Sequence, residues 1–208
     1  MGHFASGHEA GVIWWIYRWD MTQKEFIEIL EEKGLSYRID GDNVVVTSKE
    51  VHLRTLESLP SGIRFENMGS VDLGWLKSLP PGVVFDNGWN VYLGSLESLP
   101  SGMVFENGGD VDLQSLEVLP SEVVFKNGRD VELRAVKVLG SGVVFGNRGF
   151  VNLQSAQSLP PGVVFDNRGK VYLNSLLGVS FNRWKGNIQG VDNKRLLNLM
   201  IKKGLFER

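Results

Sequence analysis

From residue 51 to residue 170 the sequence divides into six units of twenty residues without an insertion or deletion, and a truncated seventh begins at Val171. The stretch SLPPGVVFDN at 78–87 returns letter for letter at 158–167, four units later. A fixed period of this size restricts the chain to architectures in which each unit is one supersecondary element stacked on its neighbours. The units share the pattern V-x-L-x-S-L-x-S-L-P-x-G-V-V-F-x-N-x-G-x. Val fills the first position and Leu the third seven times each; Leu fills the ninth and Phe the fifteenth six times each. V-x-L and V-V-F have the spacing of two that sets side chains on one face of a strand. The threes separating the third, sixth and ninth positions suit a chain turning a corner. Two short strands and two bends per unit describe one coil of a solenoid.

The bends carry their own chemistry. Leu-Pro-x-Gly, at Pro60, Pro80, Pro100 and Pro160, places Pro second and Gly fourth, as a type I turn prefers. Glu122 replaces that Gly in one unit, and Gly140 replaces the Pro in another. The second bend is Phe-x-Asn, which aligns Asn67, Asn87, Asn107, Asn127, Asn147 and Asn167 in one column. Two places after an inward Phe, the Asn points inward as well. A ladder in which each amide bonds corner backbone and the neighbouring amide would satisfy groups that burial otherwise orphans. The competing pairing is a local hairpin, because Asn-Gly between apolar runs, as in VVFDNGWNVYL, is a hairpin signal. Asn-Gly occurs in three of the six units, and strict register over all six favours stacked coils.

These columns resemble the leucine-rich-repeat class, in a short twenty-residue form like that of uncharacterised bacterial and phage repeat proteins. The resemblance covers residues 51–175. It departs in one respect: Asn67 follows Phe65 by two residues, where the ordinary repeat places the Asn three residues after the second strand leucine. What the resemblance implies is a mainly β repeat solenoid, with two short strands per coil, that serves as a binding scaffold.

The flanks read as an α-helical cap at each end. MTQKEFIEILEEKG has Thr22 and Glu25 in capping-box spacing and Gly34 where a helix stops. Its apolar side is Phe26, Ile27, Ile29, Leu30 and Leu35, and YRIDGDNVVVT follows as a hairpin-like lead-in. VDNKRLLNLMIKKGLFER starts at Asp192 or Asn193 and stops near Gly204, with Leu196, Leu197, Met200 and Ile201 to cover the last coil beside Phe181 and Trp184. The expected organisation is an aromatic segment 1–20, a helical cap with lead-in strands 21–50, repeats 51–175 and a second helical cap 176–208. Trp14, Trp15, Tyr17 and Trp19 in the first segment fit a partner-binding tail, a wrap over a strand edge or an extension upstream of Met21.

Chemistry is sparse. Without cysteine, disulfides, thiolate metal sites and a cysteine nucleophile are excluded, and the chain fits the cytoplasm. No apolar run reaches the ~18 residues of a membrane span. His3 and His8 with Glu9 are a weak metal pair, His52 is a surface position, and no histidine stands near a Ser nucleophile. No phosphate-cradling glycine spacing opens a helix. The expectation is a non-enzyme without cofactor or metal.

Surface columns are more informative. Position two, outward on the first strand, reads His52, Asp72, Tyr92, Asp112, Glu132, Asn152, Tyr172. With Trp75 beside it, Tyr92, Tyr172, Asp112, Glu132 and Asn152 form the expected binding face for a protein partner, since aromatics on a rigid sheet suit hot spots. Position fourteen reads Arg64, then Val84, Val104, Val124, Val144 and Val164. Pointing outward, the valine stripe would indicate self-association or a covered edge, and the preferred reading is a coil flat enough to bury both faces. The net charge of −2 is also uneven. Residues 1–130 hold 10 Lys+Arg against 20 Asp+Glu, a balance of −10, and residues 131–208 hold 12 against 4, a balance of +8. End-to-end stacking of an acidic end on a basic end follows as a structural alternative. Nucleic-acid contact through Arg183, Lys185, Lys194, Arg195, Lys202 and Lys203 is the least favoured reading.

Overall fold

The computed structural model describes residues 21–173; the aromatic segment 1–20 and the expected C-terminal helix lie outside the described residues. Helix α1 (Gln23–Glu32) begins where the capping box predicts. Thr22 Oγ1 accepts from the Glu25 N–H at 3.2 Å, and Glu25 Oε2 accepts from the Thr22 N–H at 2.7 Å. That backbone bond holds the Glu25 carboxyl below its ordinary value. Phe26 and Leu30, four residues apart on one helical face, enter the core, and Ile27, Ile29 and Leu35 pack against it. Strands β1 (Tyr37–Asp40) and β2 (Asn43–Val46) form the antiparallel lead-in, turning at Gly41 with φ 59°. β2 then pairs in parallel with Ile63–Phe65, which joins the lead-in to the first coil.

Each coil contributes one strand at its first two positions and another at positions fourteen and fifteen. The first set, from Val51–His52 to Val171–Tyr172, makes a seven-stranded sheet; the second, extended by the hairpin, makes an eight-stranded one. Register advances by one repeat, as in Val111↔Val131 and Phe105↔Phe125. Every pairing between coils is parallel, so the Asn-Gly hairpin alternative is not adopted. The chain is a β-solenoid of about six turns.

Between the two sheets lies one continuous core of the Val, Leu and Phe columns. Phe65, Phe85, Phe105, Phe125, Phe145 and Phe165 form a stack with ring centroids 4.9–5.8 Å apart and planes within 9°. Identical side chains repeated one strand spacing apart in register produce this parallel geometry directly. The valine stripe at position fourteen is half-buried rather than fully outward, and only Val104 reaches 37 % exposure.

The Asn column is buried, as its spacing predicts, and the expected bonds to corner backbone form, while the expected amide-to-amide bonds do not. Asn87 Nδ2 donates to the carbonyls of Trp89 and Asn90 in its own coil, at 3.0 and 3.2 Å, and of Gly69 in the coil before, at 3.0 Å. Asn127 repeats this with Asp130 at 3.0 Å and Gly109 at 2.9 Å. The Oδ1 atoms of all six are buried and accept no hydrogen bond. Corner carbonyls outcompete the neighbouring amide for the NH2 group, and they fix its orientation, since a flipped amide would set oxygen against oxygen.

At the Pro-x-Gly bend, Gly62, Gly82, Gly102, Gly142 and Gly162 have φ between 70° and 81°. Glu122 holds the same conformation at φ 64°, the one non-Gly residue with positive φ among the described residues. A left-handed side chain costs about 1 kcal/mol, so Glu122→Gly is expected to stabilise the fold by about that amount in urea denaturation. The Gly140 unit departs differently. Gly140 donates its N–H to Leu119 at 2.7 Å, a bond Pro cannot make. Here Val118–Leu119 and Val138–Leu139 form a third, two-stranded parallel sheet.

Candidate functional site: a groove where position four loses its side chain

Position two faces outward from the seven-stranded sheet, and Asp72, Tyr92 and Asp112 are register neighbours on it. The two carboxylates therefore flank the phenol ring, one strand spacing (~5 Å) to each side. Position four follows at the strand's end and reads Arg54, Gly74, Gly94, Gln114, Arg134, Gln154. The two consecutive glycines interrupt a column of long side chains. A Cβ at Gly74 would lie 3.1 Å from Asp72 Oδ1, and one at Gly94 3.0 Å from Gln114 Nε2, so the walls stand at contact distance from the gap. Neither glycine has a positive φ, so the backbone does not require glycine there.

The gap opens into a groove of about 470 Å³. Trp75 and Tyr92 form its aromatic surface, 54 % and 38 % exposed. Its polar groups are held in place. Asp72 Oδ1 accepts from the Gly74 N–H at 3.0 Å, and Asp112 Oδ1 from the Gln114 N–H at 3.1 Å. Asn90 Nδ2 donates to Tyr92 Oη at 2.7 Å, which fixes the phenol. Arg54 stands at the groove's end, its Nε 3.9 Å from Asp72 Oδ2. A surface of two exposed rings with two backbone-anchored carboxylates can stack on a planar or cationic group and pair with its charge.

Of the residues expected from sequence, the structure brings Trp75, Tyr92 and Asp112 together in this groove. Glu132, Asn152 and Tyr172 share the sheet face but lie beyond it. Asn152 Nδ2 donates to Glu132 Oε2 at 2.9 Å, and Tyr172 meets Phe150 edge-on with centroids 5.7 Å apart. The glycines were missed, though the signal was present: Gly74 and Gly94 are the only short entries in the column that holds Arg54 and Gln114.

Along the adjoining corner, position twenty carries a relay between coils. Asn90 Oδ1 accepts from the Asp110 N–H at 2.8 Å, Asp110 Oδ1 from Asp130 at 3.0 Å, and Asp130 Oδ1 from Phe150 at 2.8 Å. Partial burial, with a smaller contribution from the Asp110 charge, raises the Asp130 carboxyl above its ordinary value against the Phe150 N–H. A raised carboxyl ionises more readily in the unfolded chain. It therefore costs stability as pH rises from the usual aspartate range through the folded value, and costs nothing below that range. Asp130→Asn keeps the acceptor, as Asn90 demonstrates two column steps away. The variant is expected to melt about 1–2 °C higher than wild type at neutral pH, with the gain vanishing in acid, as thermal scans across pH would record.

On the same corner, the Arg129 guanidinium lies 4.7 Å above the Trp89 ring. The residue between them in the column, Gly109, has no side chain to obstruct the contact. The described residues contain no helix long and apolar enough to cross a membrane. Compared with family models, curated proteins and solved structures, the chain matches none. What the residues themselves establish is a twenty-residue-per-turn β-solenoid with in-register stacked coils.

Proposed function

We propose that the chain is a non-catalytic protein-binding scaffold that holds its partner at the Trp75–Tyr92 groove. The observation that carries this reading is the gap at Gly74 and Gly94, set beside two exposed aromatics on an otherwise repetitive sheet. A purely structural solenoid gains nothing from exposing a Trp there. An interaction surface does, because Trp and Tyr dominate binding hot spots. The rigid parallel sheet beneath holds the groove in one shape, which limits the ordering cost of association. The likeness of the repeat to short leucine-rich repeats, a class used mostly as binding scaffolds, supports the same conclusion.

The test is capture from a lysate of the source cells, with wild type beside Trp75→Ala/Tyr92→Ala. Both side chains are at the surface, so the double variant is expected to fold with wild-type circular dichroism. One stoichiometric partner protein, retained by wild type and lost from the variant, is the expected result. Equal recovery of that partner by both would place binding elsewhere. Recovery of the chain alone would favour self-association.

A further inference from the structure

We infer that the groove takes an arginine side chain of the partner protein, a reading that rests on the protein-binding role proposed above. Three features of the surface point to a guanidinium. First, acids of column two are matched to arginines of column four elsewhere: Asp72 Oδ2 lies 3.9 Å from Arg54 Nε, and Glu132 Oε2 lies 3.7 Å from Arg134 Nη2. Asp112 breaks this rule. Its column-four residue is Gln114, the one before is Gly94, and among the described residues Asp112 has no ion-pair partner.

Second, the vacancy adjoins two exposed rings, Trp75 and Tyr92. Third, the same molecule already stacks a guanidinium on a tryptophan in cis, Arg129 on Trp89, across a column gap left by Gly109. Gly74 and Gly94 leave a comparable gap on the neighbouring face, and among the described residues Arg54, at its end, is the one cation that lines it. An incoming arginine would supply there what Arg134 supplies to Glu132 and Arg129 to Trp89. Its planar fork can pair with the carboxylate while its face lies on a ring, a combination that a lysine ammonium cannot reproduce. Charge agrees, since two of the groove's titratable groups are acids and one is a base.

The experiment uses the full ¹⁵N-labelled chain and three peptides, acetyl-Gly-Gly-X-Gly-Gly-amide with X as arginine, lysine or citrulline. The readout is the Trp75 indole N–H, assigned with Trp75→Phe, and the amides of Gly74 and Gly94. Saturable shifts with the arginine peptide are expected. Citrulline, which keeps the shape and loses the charge, should bind about tenfold more weakly or worse, and so should arginine to Asp112→Asn. Gly94→Gln, which restores the side chain that Gln114 and Gln154 carry, should abolish the shifts. Equal binding of citrulline and arginine, or unchanged binding to Gly94→Gln, overturns the inference. So does a neutral oligosaccharide such as maltohexaose that moves the Trp75 indole when the arginine peptide does not. If a captured partner depends on Trp75 and Tyr92 while the arginine peptide is inert, the arginine inference falls and the scaffold reading stands. If partner capture is indifferent to the groove, both fall.

Discussion

Replacing Asn127 by Asp is expected to cost about 3 kcal/mol or more at neutral pH, although it changes no heavy-atom count and little shape. Asn127 is fully buried, and its NH2 group meets the carbonyls of Gly109 and Asp130 at 2.9 and 3.0 Å. A carboxylate there would set an anion against two carbonyl oxygens. The variant's carboxyl would respond by titrating far above the usual aspartate range. Protonated, it regains one donor. The deficit relative to wild type should therefore shrink as pH falls and grow as pH rises through the raised value. The comparison is made at each pH because the wild type's own carboxyls titrate, Asp130 in the opposite sense to Glu66 and Glu25. The Glu66 carboxyl is held below its ordinary value chiefly by hydrogen bonding to Arg38, and Glu25 by Thr22, so both contributions are lost as pH falls. Urea denaturation of the two proteins at about pH 7 and about pH 4 checks this. A deficit that does not depend on pH would mean the ladder works by packing rather than by donating hydrogen bonds.

Phe125→Ala is the second large effect, expected to cost about 3–5 kcal/mol. Its ring is fully buried and lies 5.2 Å from both Phe105 and Phe145, nearly parallel to each. Truncation removes two ring contacts and leaves a cavity between coils whose positions are fixed by strand pairing above and below, so collapse is limited. Phe125→Leu retains most of the volume and is expected to cost about 1–2 kcal/mol. In a structure where each coil contacts its neighbours alone, the damage sits at one junction. The truncated protein should therefore show a broadened or two-step unfolding transition rather than a uniformly weaker one. A single sharp transition displaced by less than about 1 kcal/mol would contradict the stacked-core account.

The repeat made the coil legible because three physical constraints act on every unit at once. The spacing of two in V-x-L and V-V-F set the strands, Pro-x-Gly set one bend, and the buried Asn set the other. Helix α1 was legible from its capping box, which forms as Thr22 and Glu25 predict. What the pattern did not convey was competition between partners for one group. Each Asn amide could serve a neighbouring amide or a corner carbonyl, and the carbonyls prevail because they lie on both sides of the NH2 group. The Asn-Gly pairs offer a local hairpin, but strict twenty-residue register over six units already favoured stacked coils, and the parallel pairing follows that register.

The groove was half legible for a related reason. Trp75, Tyr92 and Asp112 announce themselves by side chain, whereas Gly74 and Gly94 act through the atoms they lack. An absence gains meaning only against the rest of its column, with Arg54 before it and Gln114 after. Glu132, Asn152 and Tyr172 share the outward periodicity, yet they satisfy one another or a neighbour, and periodicity alone cannot separate engaged side chains from available ones.

The most direct test of the central claim is the affinity of the captured partner for Gly94→Gln against wild type, measured by calorimetry on proteins with matched melting temperatures. The substitution adds atoms to the groove and to nothing else, with a residue the solenoid already tolerates at Gln114 and Gln154. A fall in affinity of about 100-fold or more is the predicted result. Unchanged affinity would contradict the groove as the binding site, however well the partner binds.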